Sequence, residues 1–120
     1  MNNLKKSFIA GGFALAMVGV RLQAAGPIVG YISDDKCALS GAKATKAAEW
    51  IKPAAFESCV KDCLEQGAEA VFVTEDNKIL KFDAASKKQV AAHLGHKVSV
   101  TGKVQGSTMT VDTITDLKLQ

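Results

Sequence analysis

Apolar and polar positions change their period several times along this chain of 120 residues, and each change marks an element. Residues 7–20, "SFIAGGFALAMVGV", are almost wholly apolar, after a basic "MNNLKK" and before the small residues of "RLQAAG". That order is the pattern of a secretory signal peptide, with cleavage expected after Ala24 or Ala25. The apolar run is shorter than the roughly 20 residues that span a bilayer, although a retained N-terminal anchor is the alternative. Residues 1–24 are therefore assigned to a leader and 25–120 to one domain, periplasmic or secreted, with no membrane span once the leader is removed.

Beyond the leader, "PIVGYIS" (27–33) reads as a strand in which Gly30 permits a bend or a close backbone approach. The stretch "DDKCALSGAKATKAAEW" (34–50) is rich in Ala, Lys and Ser, has weak periodicity, and reads as a surface loop with room for a turn of helix. A helix follows, with Pro53 as its first residue and Gly67 just past its end. Phe56, Cys59, Val60, Cys63 and Leu64 recur at helical spacing and form one apolar stripe, so both cysteines are expected to face the core. Glu57 and Lys61 form an i, i+4 pair on the other side, worth about 0.2–0.5 kcal/mol.

From Glu69 the period becomes two. "AEAVFVTE" and "KILKF" read as strands joined by a tight turn at Asp76-Asn77, residues that tolerate positive φ. Asp83 can cap a short helix through "AASKKQVAAHL", which Gly95 ends. "KVSVTGKV" alternates cleanly, "QGS" turns the chain, and "TMTVDTITDL" alternates until Ile114 and Leu117 fall out of step. A bulge near Asp112-Thr113 accounts for the slip. These elements predict a mainly β fold with two helices: a five-stranded OB-fold-like small barrel. It carries a helix-containing insertion after its first strand and a short helix between strands 3 and 4. The longer helix is expected over one barrel end, and an open α+β sheet is the alternative architecture.

Charge matters only after the leader is set aside. Fifteen Lys and Arg oppose twelve Asp and Glu, but Lys5, Lys6 and Arg21 lie in the leader, so the remaining chain carries twelve of each. The basic balance is thus a targeting effect and gives no footprint for nucleic acid. A domain of about 95 residues buries a modest core, and export permits a disulfide to reinforce it.

"GYISDDKC", "CVKDCLEQGAEAVFV" and "KVSVTGKVQGSTMTVDTI" together resemble a group of small exported bacterial proteins of unknown function. In that group a Gly-aromatic-Ile-Ser-Asp strand leads to a first cysteine, and a Cys-Val-x-x-Cys helix ends in glycine and runs into a strand. The final hairpin is also similar to exported OB-fold proteins proposed to bind ligands. Many members have a His a few residues after the first cysteine, where this chain has Ser40 and Gly41. The resemblance therefore brings no metal ligand to that position and no established activity.

The three cysteines, Cys37, Cys59 and Cys63, carry the candidate chemistry. Cys59 and Cys63 sit about 6 Å apart on one helix with near-parallel side chains, a poor geometry for a bond to each other. A disulfide from Cys37 to Cys59, or alternatively to Cys63, closes a loop of about 23 residues and adds roughly 3 kcal/mol in the chain-entropy view. Three thiolates can also hold zinc or copper, with Asp34, Asp35, His93 or His96 as a further ligand. A thiol-disulfide redox role is the third reading, although catalytic pairs usually sit as Cys-x-x-Cys at a helix start. No phosphate loop and no Ser or Cys nucleophile motif is present, so neither catalysis nor a cofactor is expected. Tyr31, Asp34, Asp35 and Trp50, in or beside the insertion (34–52), are the candidate binding residues, with Phe72 and Phe82 as lesser ones. The chain reads as a monomeric, non-catalytic binding or envelope-structural module, its partner an unknown small ligand or envelope protein.

Overall fold

A computed structural model describes residues 23–117; the assigned leader lies outside them as far as Leu22. The elements run β1 (Gln23–Asp34), α1 (Asp35–Ser40), a 3₁₀ turn (Ala47–Glu49), α2 (Pro53–Glu65), β2 (Ala70–Thr74), β3 (Ile79–Phe82), α3 (Ala84–Val90), a second 3₁₀ turn (Ala91–His93), β4 (Lys97–Gln105) and β5 (Thr108–Leu117). The strands close into a ring in the order β1-β2-β3-β5-β4. Four contacts around it are antiparallel, and the parallel pairing of Lys81 with Thr108 and of Phe82 with Met109 completes it. Closing the sheet satisfies edges that five short strands would otherwise leave open. The fold is thus mainly β, as the periodicities predict, with three helices where two were expected.

The final hairpin shows how sequence period becomes register. Val98 and Val100 of β4 and Met109 and Val111 of β5 point into the ring and are buried. Thr101 pairs with Thr113 but Gly102 pairs with Val111, so Asp112 is the extra residue of a bulge, at the predicted place. β1 is longer than expected and pairs from Gln23 with β4, with an irregularity between Ala25 and Ile28.

Two cores result from alternation along β1 and β2. Ile32, Ala70 and Phe72 face the interior, where Phe82, Val90, Val98, Val100, Met109 and Val111 join them. Their neighbours Tyr31, Val71 and Val73 face outward and pack with Ala38, Ala47, Ile51, Phe56 and Val60. The long helix therefore lies on the outer face of β1 and β2 rather than over a barrel end. The alternating strands offer apolar side chains on both faces here, and only the outer one is free to receive a helix. Leu64 touches both cores.

α3 serves the interior core through Val90. Asp83 caps it by accepting the Ser86 N–H at 2.9 Å and also accepts the Thr110 hydroxyl at 2.6 Å. Buried Ser86 accepts the Val111 N–H at 2.8 Å, which ties the helix to β5. Its expected last turn tightens into the 3₁₀ turn at Ala91–His93 before Gly95. Among the described residues, no helix is long and apolar enough to cross a membrane.

Candidate metal-binding site at the three cysteines

α1 exists because its start is tied down. Asp34, the last residue of β1, is its N-cap and accepts the Cys37 N–H through Oδ2 at 2.9 Å. Asp35 then bonds the strand-entry residue Glu69 twice: its N–H donates to the Glu69 carbonyl at 2.8 Å, and its Oδ1 accepts the Glu69 N–H at 3.2 Å. These bonds set a six-residue helix, unstable alone, against the entry to β2. They also carry Cys37 to the helix that holds Cys59 and Cys63.

The three sulfurs converge. Cys37 Sγ lies 3.7 Å from Cys59 Sγ, and all three Sγ atoms lie within 4.8 Å of one another. The expected Cys37–Cys59 pair is therefore in contact, but both are free thiols, at a separation well beyond the roughly 2.05 Å of a disulfide. One expectation fails here: the stripe on α2 does not bury both cysteines. Phe56 and Val60 are buried, Cys63 is half-buried and Cys59 is exposed. At about 100° per residue Cys59 stands roughly 60° from Phe56 and 100° from Val60, on the margin of the buried face and toward Cys37.

Asp34 borders this cluster. Its carboxyl is fully buried, and Oδ1 has no hydrogen-bond partner among the described residues. Burial pushes the Cys37 thiol well above its ordinary pKa and raises that of Cys63, and the adjoining Asp34 carboxyl raises both further. On the solvent side, Cys37 and Cys59 share a groove of about 170 Å³ with Trp50, Lys52, Ala55 and Phe56.

The wall of that groove depends on a residue that sequence reasoning assigned only to a turn. Asn77 takes φ 65°, as the tight turn requires. Its side chain also accepts the Trp50 indole N–H at 2.8 Å and donates to the carbonyls of Gly41 and Ala44, both at 2.8 Å. One amide thus pins the insertion to the β2–β3 hairpin. Gly41 lies flat against the Trp50 ring, where any Cβ would collide with the indole. Trp50 in turn meets Phe56 edge-on, with centroids 6.1 Å apart.

Of the four candidate binding residues, Asp34 and Trp50 adjoin the cysteine cluster. Tyr31 is a core residue, 6% exposed, edge-on to Phe56 and with Lys97 Nζ 5.9 Å from its ring centroid. Asp35 is engaged with Glu69. Phe72 and Phe82 pack against each other inside the ring. His93 and His96, considered as fourth ligands, are engaged elsewhere. Their Nδ1 atoms lie 2.7 and 3.0 Å from the same Asp116 oxygen, and His96 Nε2 lies 3.4 Å from Glu57. Partial burial works against ionising Asp116, but the hydrogen bonds from both histidines hold its carboxyl below the usual range. No local signal announces this triad, because Asp116 comes 20 residues after His96.

No protein family, curated protein or solved structure matches the chain in comparisons with known proteins. The geometry of the site therefore carries the functional reading alone.

Proposed function

We propose that this chain is an exported, non-catalytic binding module whose ligand is a thiophilic metal ion, held by Cys37, Cys59 and Cys63. The observation that carries the reading is the convergence of three sulfurs from two separate elements within 4.8 Å. Two thiolates on one tetrahedral zinc ion, with Zn–S near 2.3 Å, stand about 3.8 Å apart. The Cys37–Cys59 separation of 3.7 Å suits that edge, but it is also ordinary contact between two thiols. The third sulfur is what distinguishes a site from a pair. A bound ion would displace the thiol protons and remove the cost of crowding three thiols beside a buried carboxyl.

A second reading is supported by the same contact: in an oxidising compartment, Cys37 and exposed Cys59 join as a disulfide and leave Cys63 free. A thiol-disulfide catalyst has less behind it. An effective nucleophile needs a low pKa, and both Cys37 and Cys63 are pushed the other way.

Zinc titration of the reduced full chain against a chromophoric chelator tests the metal reading. One equivalent is expected to bind, and Cys37→Ser and Cys63→Ser are each expected to weaken binding by at least about tenfold. Binding unaffected by either substitution, or none in the wild type, would contradict it.

A further inference from the structure

The orphaned oxygen of Asp34 deepens that reading and rests on it. A fully buried carboxyl normally has both oxygens satisfied, because an unpartnered buried charge costs several kcal/mol. Asp34 has one oxygen committed to the Cys37 N–H, and Oδ1 is buried with no partner among the described residues. The thiols of Cys37 and Cys63 adjoin the carboxyl as weak donors, and both protons leave when the sulfurs bind a metal. Cys59 approaches the same cluster from the exposed side. With those thiol protons gone, Oδ1 has no donor among the described residues, and a ligated cation is the partner its burial then requires.

We infer that Asp34 is the fourth ligand of the ion, so that the site is a tetrahedral S₃O centre selective for zinc(II) over copper(I). The chemistry follows from the donors. Copper(I) is soft and is satisfied by thiolates alone, whereas zinc(II) is borderline and accepts a carboxylate oxygen at about 2.0–2.2 Å beside its sulfurs. The N-cap bond through Oδ2 fixes the carboxyl orientation, so the backbone that builds α1 also positions the ligand.

Asp34→Asn tests this, because the asparagine carbonyl can still cap α1 while its amide nitrogen cannot ligate. Cobalt(II) serves as the visible probe on the reduced full chain. The variant is expected to keep the thiolate-to-metal charge-transfer band, with weaker and shifted d–d bands. Its zinc affinity is expected to drop at least tenfold, with copper(I) affinity within about twofold of wild type. Unchanged d–d bands and zinc affinity in a folded variant would overturn the Asp34 assignment while leaving the three-cysteine site standing. Absence of any cobalt or zinc binding by the wild type would instead remove the site itself, and this assignment with it. If the variant does not fold, X-ray absorption of the zinc-loaded wild type decides. Three sulfurs and one oxygen uphold the assignment; a fourth sulfur or an imidazole nitrogen overturns it.

Discussion

Asn77 does more with one side chain than any other residue near the site. Its positive φ shapes the hairpin turn, and its amide makes three hydrogen bonds to the insertion. Asn77→Gly separates the two roles, since glycine keeps the turn and loses the bonds. At about 0.5–1.5 kcal/mol per bond, reduced by partial exposure, the variant should lose about 2 kcal/mol in urea unfolding. An unchanged midpoint would mean that the insertion is held by its apolar contacts alone. Gly41→Ala attacks the same joint from the other side, by pushing the Trp50 ring away. It should cost about 1–3 kcal/mol and red-shift the fluorescence of the only tryptophan. Glycine at 41 gives no local sign of this contact, because the ring that presses on it belongs to Trp50, nine residues on.

Among the elements, α2 matters most, because it forms the outer core and presents two of the three sulfurs. Phe56 anchors it against Tyr31 and Trp50. Phe56→Ala should therefore cost about 3–5 kcal/mol, measurable by chemical denaturation, and weaken metal binding in proportion to the loss of α2 docking. α2, the strands and the bulge at Asp112 were legible beforehand, since each rests on local periodicity or punctuation: Pro53, Gly67, the alternation in β4, the slip after Val111. α1 was not, because its six residues are held by contacts with Glu69, far along the chain. The apolar stripe on α2 holds as a pattern but not as a burial map. Cys59 lies at its margin, because the outer face of β1 and β2 covers the side of the helix that carries Phe56 and Val60. The cysteines were legible as candidates and their company was not. The Asp34 oxygen, the Asn77 bonds and the His93–His96–Asp116 triad all depend on tertiary placement.

For the whole molecule, acid should destabilise the fold. Thr74 holds the Asp76 carboxyl down, Thr110 and Ser86 that of Asp83, and Lys61 with His96 that of Glu57; Asp116 is lowered by its two histidines. Unfolded carboxyls titrate near pH 4, so these groups stabilise the fold above that value. The contribution is lost as pH falls through their lower folded values. Urea midpoints should therefore decline from pH 5 to pH 3, with a shallower decline in Asp116→Asn; a midpoint that rises with acid would contradict this assignment. Metal links to stability in the same way. Free zinc at about a hundred times its Kd should add about 2.7 kcal/mol, which for a domain of this size raises the thermal midpoint by more than 10 °C. The central claim is that three cysteines close on one ion, and intact mass tests it most directly. The protein is isolated without oxidation and measured under native conditions, with and without an alkylating reagent, before and after chelation. The account predicts one metal per chain, thiols shielded until the chelator is added, and three alkylations afterwards. A metal-free chain that takes up three alkyl groups at once, or one that takes up a single group because two cysteines are joined, would contradict it.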